Sequence, residues 1–216
     1  MRFFTRYKFI ILLFLLIPVS ALAHGISEED KLRMLSGGYL QYIGLGATHM
    51  LTGYDHLLFL FGVVFFLTSF KDIAKFVTAF TVGHCITLIF ATFYQITWNY
   101  FLIDAIIALS VIYKGFDNNG GFQKYLDMKS PNLLGAVFLF GLLHGFGLST
   151  RLQQLPLGDD STDILLRILS FNLGVEIGQI VALVVMVALL SLWRHKPSFQ
   201  RFSFASNQSL IYAGVL

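Results

Sequence analysis

Apolar runs about as long as a bilayer is thick, joined by short polar loops, leave this chain one kind of fold. Phe76 to Ile96, the stretch from the Thr97-Trp98-Asn99-Tyr100 turn to about Ile112, Pro131 to about Thr150, and Asp163 to Trp193 each read as a span. From Gly38 to Phe70 the chain is apolar for too long to be one straight helix, and Gly44, Gly46 and Gly53 punctuate it. We read there a short amphipathic or half-inserted helix to about His49, then a span from about Gly53 to Phe70. The final stretch, NQSLIYAGVL, begins like a sixth span but stops after about seven apolar residues, fewer than a crossing needs. Composition agrees. Only 12% of residues are charged, against about 25% in a soluble domain, and mean hydropathy is +0.73. The expected fold is an all-α polytopic transmembrane bundle of about six spans, the last cut short, in a single domain covering 24–216.

The first 23 residues read as a secretory signal peptide. Arg2, Arg6 and Lys8 form a basic start, Phe9 to Val19 is apolar, and Ala21-Leu22-Ala23 is a small-x-small cleavage site. Cleavage makes His24 the first residue of the mature chain. Its α-amine and imidazole together suit Cu, Ni or Zn. The signal places the mature N-terminus on the outer, periplasmic side of the cytoplasmic (inner) membrane. Loop charge gives the same orientation. Lys71, Lys75, Lys114, Lys124, Lys129, Arg194, Lys196 and Arg201 fall on the inner side, with Arg151 and Arg167 on the outer. The single Cys85 excludes an intramolecular disulfide. The formal net charge of +3 is spread over loops, so no nucleic-acid patch is expected. No internal repeat is apparent.

Ionisable groups inside such spans are costly and mark functional sites. His49, Asp55, His56, His84, Asp104, His144 and Glu176 all fall in or beside them. His49 and His56 share a face of a continuous helix. Asp55 beside His56 suits a carboxylate orienting a metal-binding imidazole. Asn172, Glu176 and Gln179 form a polar stripe on the last long span. His84 reads as a ligand or as an interhelical hydrogen-bond donor, and Asp104 as a ligand or the partner of a histidine. Cys85 points away from His84, and His195 sits in a basic cluster without an assigned role. Counted at 1.5 Å per residue, Asp104 and His144 lie about seven and six residues from the outer ends of their spans, and Asp55 and His56 near an outer end. The group is therefore expected in the outer half of the membrane. The aromatic residues are read as lipid-facing filler and interfacial belt.

The stretches GATHMLTGYDHLLFL, FTVGHCITL, DAIIALSVIYK, LFGLLHGFGLS and FNLGVEIGQ resemble, in order and spacing, the HupE/UreJ family, particularly its second, UreJ-like branch. The resemblance covers about Gly38 to Gln179. It implies a secondary permease for nickel or cobalt, with the family's H-x5-D-H signature at His49, Asp55 and His56. The nickel-permease branch carries two His and a Glu around the later glycine-rich span, where this chain has only His144, and Cys85 stands where a Ser is usual.

Residue chemistry does not choose among Ni, Co, Zn and Cu as the divalent ion. In the transport reading His49, Asp55 and His56 capture the ion, with His24 assisting. His84 and His144 take it deeper, and Asp104 and Glu176 compensate charge. No ATP-binding P-loop is present, so a gradient or partner supplies the energy. The alternative is an intramembrane zinc-dependent hydrolase with a one-sided site open to the outer side, for which Ser110 and Ser149 lie near the right level. A metal-sensing or assembly factor is a third reading. The expected partners are the metal ion and membrane lipid, with a homo-oligomer or accessory protein left open.

Overall fold

The computed structural model describes residues 37–153 and 160–215. The signal segment and His24 lie outside them. The described residues form helices and no strand: α1 (Tyr39–Thr52), α2 (Tyr54–Val64), α3 (Phe70–Phe93), α4 (Tyr100–Asn118), α5 (Gly121–Leu126), α6 (Leu133–Leu152), α7 (Ser161–Arg194) and α8 (Pro197–Ala213). Local chemistry sets the starts. The Ser69 hydroxyl, the Asn99 side-chain oxygen and the Asp160 carboxylate each accept a first-turn N–H, and Pro197 opens α8. Gly120, at φ +68°, makes the turn between α4 and α5 that the Asn-Asn-Gly-Gly sequence announces.

Among the described residues, α3, α7 and the Leu133–Thr150 part of α6 are long and apolar enough to cross a membrane. The face of α7 that bears Leu166, Leu169, Leu173, Ile177, Ile180 and Val184 is exposed. A soluble monomer would not leave so long an apolar stripe in water, and lipid accommodates it. This is a membrane protein.

Besides the shifted ends of α2 (Val64, not Phe70), α3 (from Phe70, not Phe76) and α4 (to Asn118, not Ile112), two helix boundaries differ from the sequence reading. The segment before Gly53 is a full helix of 14 residues, and it continues into α2 through a single extended residue, Gly53 (φ −73°, ψ 98°). The Gly53 N–H still bonds the His49 carbonyl at 2.9 Å, and Leu57 N–H bonds the Gly53 carbonyl at 3.0 Å. So α1 and α2 are two halves of one kinked passage, and the kink has glycine as its cause. α1 packs along α7, whereas α2 turns toward α4. The second half ends under Arg194, whose guanidinium donates to the carbonyls of Val64 and Phe65 and so caps the C-terminus of α2. The other difference is at the chain end, where α8 begins at Pro197, well before the NQSLIYAGVL stretch.

Glycines set how closely the helices approach. A Cβ on Gly46 would collide with the Phe171 carbonyl, and one on Gly174 with the Ile43 carbonyl, so α1 and α7 touch backbone to backbone. Contacts ascend together along both helices, which makes the pair parallel. The same holds for α3 and α6, where Gly141 meets the Phe80 carbonyl and Gly83 the Phe138 carbonyl. α4 and α8 are antiparallel: Gly115 meets Asn207 and Ile211, and Gly214 meets Ala108 and Ile112.

These contacts overturn the expectation of no internal repeat. The contacts of Gly46 with Phe171, Gly174 with Ile43 and Ala47, and Gly115 with Asn207 and Ile211 have counterparts in Gly141 with Phe80, Gly83 with Phe138 and Leu142, and Gly214 with Ala108 and Ile112. α1, α3 and α4 match α6, α7 and α8 in that order. The sequence carries the trace: GATH (46–49) against GLLH (141–144), FTVGHCI (80–86) against FNLGVEI (171–177), and SVIYKG (110–115) against SLIYAG (209–214). Because α1 and α6 run in opposite directions through the bundle, the two halves form an inverted repeat. His49 and His144 occupy equivalent positions in it.

One end of the bundle is basic. It gathers the end of α2, the starts of α3, α6 and α8, and the ends of α4 and α7, tied by Arg194 to Phe65, Asn118 to Gly62 and Asn207, and Phe65 stacked on Phe199. At the opposite end Tyr39 O–H donates to Asp163 at 2.8 Å, and Asp163 pairs with Arg167.

Candidate functional site

The kink at Gly53 delivers two histidines from opposite sides of one break. His49 sits in the last turn of α1 and His56 in the first turn of α2, with ring centroids 5.0 Å apart. His144 of α6 meets His56 from the other side at 4.9 Å. The three imidazoles stack edge to face in a row, His56 in the middle, at interplanar angles of 74° and 72°. The two outer members of the row are the repeat-equivalent pair. Their immediate neighbours are equivalent too: His49 packs on Phe171 at 5.8 Å and His144 on Phe80 at 5.0 Å.

Hydrogen bonds fix which nitrogen of each ring carries the proton. His56 Nδ1–H donates to Asp55 Oδ1 at 2.9 Å. His144 Nδ1–H donates to the Phe140 carbonyl at 2.7 Å. The Asn172 amide donates to the Ile168 carbonyl, which turns its oxygen toward His84, and His84 Nδ1–H donates to that oxygen at 3.0 Å. Each of these partners accepts only, so all three rings keep Nε2 as the lone-pair nitrogen. His144 Nε2 is buried and has no partner. A buried unsatisfied acceptor is expensive, and a lone-pair imidazole nitrogen is what a divalent transition metal binds.

The site is thoroughly buried. Relative exposures are 6% for His56, 1% for His84 and 3% for His144, whereas His49 is half-buried and the Asp55 side chain is 24% exposed. Helix lengths put it near the middle of the bundle. The 14 residues of α1 carry the chain about 20 Å before the break, and Gly178 at the middle of α7 lies against Ala47 and Met50.

His84 stands one ring away, stacked on Phe80 at 6.2 Å. Thr81 O–H donates to Gln179 Oε1 at 2.7 Å nearby, so α3 and α7 are joined at this level by two polar pairs. Asn172 and Gln179 of the polar stripe are buried and used, while Glu176 lies half-buried on the flank of α7 between its packed and exposed faces. Asp104, half-buried near the start of α4, follows Ile103, which packs on Gly147 beyond His144 toward the end opposite the basic one. Among the described residues, no three His, Cys, Asp or Glu side chains are arranged to hold an ion together. The hydroxyls of Ser110 and Ser149 are bonded to carbonyls of their own helices, Ile107 and Phe146.

A narrow cavity runs from the site toward the basic end, lined by His56 and Gln179 at its head and then by Phe59, Val63, Phe76 and Val137. It has room for about one water. Phe59 and Phe80 of its lining pack against each other at 6.0 Å and separate it from His144, and Phe140 backs Phe59 at 5.4 Å. These phenylalanines correct the reading of the aromatic residues as lipid-facing filler. The carbonyl of Phe140 and the amide of Asn172 are site groups that the sequence did not mark, although Asn172 had been placed on the polar stripe.

Fold and site define an all-helical membrane protein with a histidine cluster at the junction of two inverted repeats. Residues 27–216 match the family described as HupE / UreJ protein, and the chain belongs to that family. No curated protein and no solved structure matches it.

Proposed function

We propose that the protein is a secondary permease for a divalent transition-metal ion, nickel or cobalt before zinc or copper, in the cytoplasmic membrane. The observation that carries this reading is the buried, unpartnered Nε2 of His144 beside the ring of His56, itself oriented by Asp55. His49, His56 and His144 are the proposed ligands of the cargo, with Asp55 setting the tautomer and orientation of His56. His84 offers a further lone-pair nitrogen across Phe80. Asp104 and Glu176 are assigned charge compensation along the path, and His24, at the mature N-terminus, assistance in capture. Membership of the HupE/UreJ family supports a metal as cargo.

The proposed topology has six crossings: α1 with α2, then α3, α4, α6, α7 and α8. A cleaved signal peptide places the mature N-terminus outside, and the basic end faces the cytoplasm. A kinked helix presenting ligands at the interface of inverted repeats is the arrangement that secondary transporters use for a mid-membrane site.

The test is uptake of radioactive nickel, cobalt, zinc and copper by proteoliposomes holding the purified full-length chain, beside metal analysis of the same preparation. Bound metal and uptake above protein-free vesicles are expected. Bound zinc without transport of any of the four metals would replace this reading with the hydrolase one, and absence of both would end it.

A further inference from the structure

The two equivalent histidines differ in their surroundings, and the difference has a direction. His49 is half-buried, and the side chain of Asp55 in the same passage is 24% exposed. His144 is sealed behind Phe59, Phe80 and Phe140, on the side of the basic end. The backbones differ as well: α1 breaks at Gly53, whereas α6 runs unbroken to Leu152. Two halves that share one packing plan thus hold two different conformations around a common central ring.

We infer that these are two alternating arms of one gate, and that His56 passes the cargo between them. In the arrangement seen, His49 and His56 face the side open to Asp55, and the Phe59–Phe80–Phe140 plug is shut. In the other arrangement the plug parts, and the ion sits between His56 and His144 with access to the basic end. The physical basis is the near-equal spacing of His56 from both mates. Moving the ion from one mate to the other keeps His56 as a constant ligand, so no step strips the ion of protein nitrogen. The plug is apolar, and a hydrated dication does not pass it while the rings are packed. The lone pair of His144 Nε2 is left without a partner by the shut arrangement and gains one in the other.

The inference rests on the permease reading, and its test separates the two. In a Cys85→Ser background, Phe59→Cys and Phe140→Cys are combined and joined by a short bis-thiol-reactive cross-linker in full-length protein in proteoliposomes. Val63→Cys with Val137→Cys, lining the same cavity, serves if the first pair does not fold. Nickel transport is expected to fall at least about tenfold on cross-linking, while equilibrium nickel binding stays within about twofold. Each single-cysteine variant should show the same transport with and without the cross-linker, whatever its own rate. Transport indifferent to the cross-link, with binding intact, would overturn the alternating gate and leave the permease reading standing. Absence of nickel, cobalt, zinc and copper binding in the protein before cross-linking would overturn both.

Discussion

The α1–α7 pair and the α3–α6 pair are built on one plan and put to different use. Both are parallel, both close backbone to backbone through glycine, and both bring a histidine to the ring of His56 against an equivalent phenylalanine. In the first pair the helix stops at the histidine's own turn, and the histidine stays half-buried. In the second the helix continues, and aromatic rings bury the histidine. Close packing fixes the positions that both repeats share. The unshared feature, the Gly53 break, is what gives one of them access. A sequence can therefore duplicate a scaffold and still build a directional site, by altering one turn.

The comparison yields predictions of decreasing size. His56 belongs to both arms, so His56→Ala should reduce nickel affinity by more than about 100-fold, beyond the 10–100-fold that changes to groups behind a ligand cost. Metal analysis on folded variants measures this. A smaller loss than that of His49→Ala or His144→Ala would remove His56 from the centre. Asp55→Asn keeps the size of the side chain but weakens its hold on the His56 proton, and an affinity loss of about 10–100-fold is expected.

Stability sharpens the equivalence of the scaffolds. Gly46→Ala and Gly141→Ala each drive a methyl into a carbonyl of the partner helix, and each should destabilise by about 1–3 kcal/mol. The two values should be similar in unfolding measured in detergent. A cost for one and none for the other would break the structural repeat. The smallest effect is Gly44→Ala, where nothing lies within 4 Å of the added Cβ. Helix propensity alone predicts a gain of up to about 1 kcal/mol there.

Much of this was open to sequence reading. Apolar runs and loop charge give a helical membrane bundle, and the cost of buried ionisable groups singles out His49, Asp55, His56, His84 and His144. Three things were hidden for physical reasons. Gly53 reads as punctuation, but whether a glycine ends a helix or only kinks it depends on what packs beside it, here α7 before the break and α4 after it. The repeat leaves few shared residues because close approach demands identity only where backbones touch, as at Gly46 and Gly141. The three segments also recur at different intervals, so no single period appears. Phe80 and Phe171 look like any lipid-facing phenylalanine, and only the fold turns them onto imidazoles. Asp104 and Glu176 were marked by cost as well, yet a half-buried helix flank offers such groups a place outside the histidine row.

X-ray absorption on the nickel-loaded, full-length protein tests the central claim most directly. The account predicts at least two imidazole nitrogens in the metal's inner shell, with the imidazole signal falling in His56→Ala. A shell of water and carboxylate oxygen alone, or an imidazole signal unchanged in His56→Ala, would contradict it.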